Sequence, residues 1–329
     1  MLIDVSESSQ TGEARRKAAA LAEDLKMNEA HCGAVALATT EMATNIVKHA
    51  GKGYILIQRL HENGVSGLRL LSVDRGPGIA DVPRALSDGH STAGSGGSGL
   101  GAIRRASDRF DIYSVPGSGT VICAEFLMAD AKPAHPIFSS AIVSEPVRGE
   151  TVCGDGWAVR DLADGSVFMV VDGLGHGTLA SEAAREAERV VARARFGSLL
   201  EVVQDTHDAL KKTRGAAFGI ARIEPERQVL TYAGVGNVSA TIVSRGATRA
   251  LVSHNGTLGH EMRHLQEFAY PWGEDSMLVM HSDGLGSRWE FERYPGIATK
   301  SPSVIAAILH RDYNRGRDDV TVLVAKAAA

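Results

Sequence analysis

Cysteine is scarce and long apolar runs are missing, and each shortage removes a class of protein. Among 329 residues the cysteines are Cys32, Cys123 and Cys153, odd in number and far apart. They make no C-x-x-C pair, which fits reduced thiols and gives neither a disulfide framework nor a cysteine-built metal site. No apolar run reaches the roughly 18 residues that cross a bilayer. The start, Met-Leu-Ile-Asp-Val-Ser-Glu-Ser, lacks a basic segment followed by an apolar one, so no signal peptide is visible and a cytoplasmic location is expected. There is no basic block and no run of like charge; the net charge is −4 and the pI about 6.3. Nucleic-acid binding and a disordered charged tail are therefore not expected. No repeat of solenoid period is present. What is abundant is apolar residues, at 44%, and glycine, with 36 copies, which suits globular α/β structure with many tight turns. The length suggests two domains.

The first half is organised around Glu41-Met-Ala-Thr-Asn45-Ile-Val-Lys-His49-Ala50. A spacing of four returns to the same helix face with about 40° of drift, so Glu41, Asn45 and His49 line up on one face. Val35, Leu37, Ala38, Met42, Ile46 and Val47 can bury the other faces. Taken alone, the row is either a solvated polar stripe or a site. Residues 12–26 predict an earlier helix, Asn28 a cap for the next, and Gly51 its end. Tyr54–Leu60 and Gly67–Val73 read as strands about a turn at Glu62-Asn63-Gly64. The second strand runs into Asp74-Arg75-Gly76-Pro77-Gly78, either an ordinary Asp-x-Gly turn or a place where a flat heterocycle can approach. Gly89 to Gly101 is glycine- and serine-rich and precedes a helix, Ala102–Arg109. It is either a flexible linker or an anion cradle at a helix N-terminus. It is neither a Walker A sequence nor a dinucleotide fingerprint. Strands at Asp111–Val115 and Thr120–Phe126 close the unit.

In this order the pieces resemble the GHKL ATP-binding fold of gyrase-type ATPases, histidine kinases and anti-sigma serine kinases. Glu41-x-x-x-Asn45 resembles the N box, Asp74-x-Gly76-x-Gly78 the adenine loop, and Gly97-Ser98-Gly99-Leu100-Gly101 the phosphate box. The run from Arg75 to Thr92 is closer still to stressosome switch kinases, which act on STAS-domain proteins. The resemblance spans about residues 10–127. It implies ATP with Mg²⁺, Asn45 on Mg²⁺, Asp74 on the adenine amino group, and Gly76, Gly78, Gly97, Gly99, Leu100 and Gly101 around the nucleotide. Glu41 would orient or deprotonate the attacking hydroxyl, as phosphoryl transfer needs mainly alignment and charge neutralisation. His49 is either a phosphate-side contact or a helix-end residue favoured by the macrodipole. The serine-rich insertion 93–98 leaves open which glycines touch phosphate. No phospho-accepting helical hairpin precedes the domain, which argues against a histidine kinase.

Residues 129–136, with Pro133 and Pro136, read as a short stiff linker. Beyond it, aspartates mark strand ends: Asp155, Asp172 after Val167–Val171, Asp283 after Met277–His281, and Asp318-Asp319 before Val320–Val324. One such aspartate alone is an ordinary turn cap. Several can converge, and unit charges 4 Å apart repel by about 4 kcal/mol at an effective dielectric of 20. Such a cluster wants cations, and oxygen-only ligands point to Mg²⁺ or Mn²⁺. Helical stretches at 178–196 and 198–212, a glycine-punctuated β run over 217–270 and a late helix at 301–311 suit a layered sandwich of two sheets.

This half resembles PP2C-type metal-dependent serine/threonine phosphatases of the SpoIIE branch, particularly the small stressosome feedback phosphatases. The motifs are V-V-D-G-L-G-H-G, A-G-V-G-N-V, S-H-N-G-T-L-G, H-S-D-G-L and R-D-D-V-T-V-L-V, over about residues 138–327. The resemblance implies Asp172 bridging two metals with the Gly173 carbonyl as a further ligand, Asp155 on the first metal, and Asp283 and Asp318 on the second. Asp319 is an alternative to Asp318. The water between the metals would be the nucleophile. His176 is expected as a turn residue, because hard metals prefer oxygen. No arginine matches the phosphate-holding one of the family's eukaryotic members.

The expected architecture is therefore a two-domain α/β chain. Residues 1–128 form a GHKL α/β sandwich, 129–136 a linker and 137–329 a PP2C-like αββα sandwich. The expected function is a bifunctional switch, kinase plus phosphatase, acting on STAS-domain partners. The alternative is a phosphatase regulated by an ATP-binding, partner-sequestering module that transfers nothing.

Overall fold

A computed structural model describes residues 1–62, 65–87, 99–128, 137–245 and 247–328. The chain divides into two units, Met1–His135 with Gly296–Arg311, and Pro136–Pro295 with Asp312–Ala329. The linker expected at 129–136 and the phosphate-box residue Gly97 lie outside the described residues.

In the first unit the elements are β1 (Leu2–Val5), α1 (Ser8–Asp24), α2 (Glu29–Asn45), β2 (Gly53–Glu62), β3 (Val65–Asp74), α3 (Val82–Leu86), α4 (Gly99–Ala106), β4 (Arg109–Ser114) and β5 (Thr120–Leu127). The strands pair antiparallel in the order β1-β2-β3-β5-β4. Side chains alternate across a strand. Leu68 and Leu70 of β3 and Ile122, Ala124 and Phe126 of β5 share a core with Val35, Ala38 and Met42 of α2. The intervening Arg69 and Glu125 face the other way, and Arg69 Nε donates to Glu125 Oε1 at 2.8 Å, both buried. Asn28 caps α2 by accepting the His31 N–H at 2.8 Å. After Asn45 the helix widens into one π turn, Ile46–Ala50, which Gly51 ends at φ +74°. That change of pitch takes His49 out of strict register with Glu41 and Asn45.

In the second unit the elements begin with β6 (Phe138–Glu145), β7 (Asp155–Leu162), β8 (Gly165–Gly173), α5 (Thr178–Arg193), α6 (Leu199–Leu210), β9 (Ala216–Glu224) and β10 (Val229–Val235). They continue through β11 (Ser239–Ser244), β12 (Ala247–Ala250), β13 (Phe268–Pro271), β14 (Ser276–His281) and β15 (Val320–Ala327); α7 (Pro302–Tyr313), between the last two, crosses the boundary between the units. One sheet runs β13-β10-β9-β8-β7 and the other β12-β11-β14-β15-β6. Phe168 and Val170 of β8 meet Leu278, Met280 and Leu323 of the other sheet in a core between the two. The alternate residues Val167, Met169 and Val171 pack with Ala183, Ala187, Val202 and Val203 of α5 and α6. By the same alternation Asp172 continues the inter-sheet face of Phe168 and Val170.

The segment Gly296–Arg311, which contains most of α7, belongs to the first unit, although by sequence it falls within 137–329. It lies on the sheet face carrying Arg69 and Glu125, with Ser303 Oγ 3.5 Å from Glu125 Oε1. No helix among the described residues is long and apolar enough to cross a membrane.

Candidate active sites

Glu41 and Asn45 sit on the last turns of α2, and the first residue of α4 lies against them. A Cβ on Gly99 would stand 3.1 Å from Glu41 Oε2 and 3.6 Å from Asn45 Oδ1. The helix end that favours anions therefore opens beside the carboxylate and the amide. Gly101, expected beside the nucleotide, is buried, and Leu100, expected there too, packs partly buried on the core at the start of α4.

Asp74 ends β3 and is fixed through one oxygen. Its Oδ1 accepts the N–H groups of Gly76 at 2.7 Å and Thr120 at 3.2 Å. Among the described residues both of these bonds go to Oδ1 and neither to Oδ2. Burial raises the Asp74 pKa, which those two bonds and the charges of Arg311 and His49 oppose. Gly78 adopts φ +70°, and a Cβ there would lie 2.1 Å from the Val115 carbonyl oxygen. Only glycine lets the loop after Asp74 close on the β4–β5 turn. Gly76 is also closely packed, its would-be Cβ falling 2.7 Å from Ala50 Cβ.

In the second unit the carboxylates gather at strand ends. Asp155 and Asp172 are direct cross-strand partners in β7 and β8, so they project to one side. Asp283 follows β14, and Asp318 and Asp319 precede β15 in the other sheet. Burial is the main cause raising the Asp172 pKa, followed by the charges of Asp155, Asp283 and Asp318. Asp155 is also pushed up, chiefly by burial, and Asp283 by burial and then Asp318. Two of these carboxylates have a neutral side chain as partner as well. Ser282 Oγ donates to Asp155 Oδ2 at 2.6 Å, and Asn237 Nδ2 to Asp283 Oδ2 at 2.6 Å. Among the described residues, no three Asp, Glu, His or Cys side chains form a closed metal cage. The donor set nevertheless fits hard divalent cations. It consists of carboxylate oxygens that burial and mutual repulsion leave short of positive charge.

Asp318 and Asp319 separate cleanly. Asp319 is buried, and its two oxygens accept the N–H groups of Val147 and Gly154, each at 2.7 Å. Asp319 thus ties down the loop that leads into Asp155. Asp318 is half-buried and caps the N–H of Asp319, at 2.9 Å. Gly173 is hemmed in by the Ala180 carbonyl oxygen, 2.2 Å from a would-be Cβ. His176 pairs with Glu150 at 2.7 Å, the behaviour of a surface turn residue.

The family described as Stage II sporulation protein E (SpoIIE) matches this chain over residues 163–328, just over half of its length. The chain belongs to the SpoIIE family. The second unit of this SpoIIE-family protein has a PP2C-like fold, and residues 5–126 match the histidine kinase-like ATPase domain family. The chain is similar to the serine/threonine-protein kinase RsbT of Bacillus subtilis (strain 168), 38% identical over 111 residues, 34% of this chain and 84% of RsbT. It is also similar to the phosphoserine phosphatase RsbX of the same organism, 27% identical over 138 residues, 42% of this chain and 69% of RsbX. A solved structure reported for the bacterial stressosome as a modular system controlling secondary messenger signalling superposes with TM-score 0.55 at 26% identity, covering 57% of this chain and 99% of that one. RsbX in complex with magnesium shares the fold, with TM-score 0.50 at 23% identity, over 58% of this chain and 96% of that one.

Two polar residues near these strand ends carry no mark in the sequence that singles them out: Asn237, against Asp283, and Arg214, against the Gly175 turn. Asn237 lies in the A-G-V-G-N-V motif, whose type signalled a site without saying which side chain acts. Arg214 follows a helix with no motif to mark it. Its Nη1 lies 2.9 Å from a would-be Cβ on Gly175, and its carbonyl accepts from His260 Nε2 at 2.8 Å.

Proposed function

We propose that this SpoIIE-family protein both phosphorylates and dephosphorylates serine or threonine on STAS-domain partners. The observation that carries the reading is the pairing, in one chain, of two differently built sites. One sets Glu41 and Asn45 against the N-terminus of α4, with Asp74 Oδ2 open to an adenine amino group. The other gathers Asp155, Asp172, Asp283 and Asp318 at the ends of two sheets. The likeness of the halves to a kinase and a phosphoserine phosphatase supports opposed reactions.

At the first site Asn45 holds Mg²⁺, Asp74 holds adenine, and Gly76, Gly78 and Gly99 give the nucleotide room. A serine or threonine hydroxyl gives its proton to Glu41 as its oxygen bonds to the γ-phosphorus, and the bond to the ADP oxygen breaks. At the second site Asp155, Asp172, Asp283, Asp318 and the Gly173 carbonyl hold Mg²⁺ or Mn²⁺. Bound there, the ions supply charge neutralisation and acidify water. Asn237 and Ser282 orient the carboxylates, and Asp319 fixes the loop before Asp155. The exposed Arg214 guanidinium beside Gly175 is the group suited to grip a substrate phosphate. Incubation with γ-labelled ATP and purified STAS proteins tests the reading. Label on serine or threonine is expected. Release of free phosphate without a partner, or nucleotide binding alone, would contradict it.

A further inference from the structure

Arg311 lies far along the chain from every nucleotide motif, yet it is built into the nucleotide unit. The segment Gly296–Arg311 belongs to that unit and is fastened along its length. The Ser301 N–H donates to Asp111 Oδ2 at 2.7 Å, and Lys300 Nζ reaches Asp111 Oδ1 at 3.3 Å. His310 Nδ1 meets the Tyr54 hydroxyl at 2.9 Å, and their rings pack edge to face. At the end of the segment, Arg75 donates to the Arg311 carbonyl, and Arg311 Nη1 donates to the carbonyl oxygen of Asp74 at 3.2 Å. Arg311 is buried, only 7% exposed, so this bond is sheltered from water. Asp74 is thereby gripped twice. Its side chain is turned by Gly76 and Thr120, and its main chain is held by Arg311.

We propose that Arg311 is a positioning residue of the nucleotide site: by holding the Asp74 carbonyl it aims Asp74 Oδ2 at the base and selects adenine. The proposal rests on the reading of Asp74 as the adenine contact. Arg311 would act through the loop, by way of the Asp74 carbonyl. A buried hydrogen bond from a charged donor is worth enough that its loss should weaken ATP binding roughly ten-fold. An ordinary structural contact would weaken all nucleotides alike. A residue that aims the base-reading carboxylate should cost ATP more than GTP, because a guanine offers no amino group at the adenine position.

The test uses the full chain and displacement of a fluorescent ATP analogue by ATP and by GTP in Mg²⁺, for wild type, Arg311→Ala, Arg311→Lys and Ser303→Ala. Ser303 touches Glu125 on the same segment, away from Asp74, and serves as the structural control. The expected result is a roughly ten-fold loss of ATP affinity in Arg311→Ala, a smaller loss for GTP, recovery of most of the preference in Arg311→Lys, and wild-type binding by Ser303→Ala. Wild-type ATP affinity in Arg311→Ala overturns the proposal. So does an equal loss for both nucleotides that Ser303→Ala shares. If wild type itself binds no ATP, the nucleotide-site reading falls, and the role of Arg311 with it.

Discussion

Ser282 Oγ lies 2.6 Å from Asp155 Oδ2 and donates to it, while accepting the Thr321 N–H at 2.9 Å. One hydroxyl thus links a carboxylate of one sheet to the backbone of the other. The bond favours ionised Asp155 against burial. Ser282→Ala should raise the metal concentration needed for half-maximal phosphatase activity roughly ten-fold, from the loss of a hydrogen bond to a charged group. Activity at saturating metal should largely recover. A metal titration curve superposable on wild type would contradict the role given to Ser282.

Asp318 and Asp319 are neighbours with different tasks, and their amide variants should differ in kind. Asp318→Asn should lose phosphatase activity and respond to added metal, with little change in thermal stability. Asp319→Asn weakens the acceptor for Val147 and Gly154 and should cost about 1–3 kcal/mol of stability. Melting curves and metal titrations of both variants check this. Equal stability with loss of metal response in Asp319→Asn would reverse the assignment.

Metal-free protein should be less stable in base. The Asp172 carboxyl is raised from 3.8 to about 8 in the folded chain, mainly by burial. A group with a raised folded pKa lends its full stability below the unfolded value and loses it as pH climbs to the folded value. In chelator, the stability of the second unit should therefore fall as pH climbs from the ordinary carboxylate range towards about 8, by at most roughly 1 kcal/mol per pH unit from this group, and its melting temperature should fall with it. Mg²⁺ or Mn²⁺ should flatten the slope. A melting temperature that rises through that window in chelator would be incompatible with carboxylates buried against one another.

Glu41→Gln should separate binding from transfer. Nucleotide affinity should stay near wild type, while phosphoryl transfer falls about 10²- to 10⁴-fold, the usual worth of a positioned base. Single-turnover kinetics with Mg²⁺-ATP gives the answer, and undiminished transfer would remove Glu41 from the chemistry.

Much of this was legible because period and punctuation carry position. The alternation in Val167–Asp172 is enough by itself to place Asp172 on the same face as Phe168 and Val170, and Asp74-x-Gly76-x-Gly78 announces a carboxylate at a tight turn. Asn28 and Gly51 bound the second helix as cap and stop. Other features leave no local trace. The π turn after Asn45 follows a sequence that would continue an ordinary helix, and it takes His49 out of register with Glu41 and Asn45. Asp318 and Asp319 look alike in sequence, and only the N–H groups of Val147 and Gly154 tell them apart. The place of Gly296–Arg311 in the first unit is a long-range choice, decided by Asp111, Tyr54 and Glu125 rather than by any nearby residue.

Two opposed sites in one chain should add and remove phosphate on the same partner. Intact-mass spectrometry of a purified STAS partner, incubated with Mg²⁺-ATP and either wild type or Asp172→Asn, tests it most directly. Asp172→Asn should drive the partner to a stable phosphorylated form on serine or threonine, and wild type added afterwards, once ATP is exhausted, should return it to its starting mass. A partner that gains no phosphate with Asp172→Asn, although that variant binds ATP, would contradict the account.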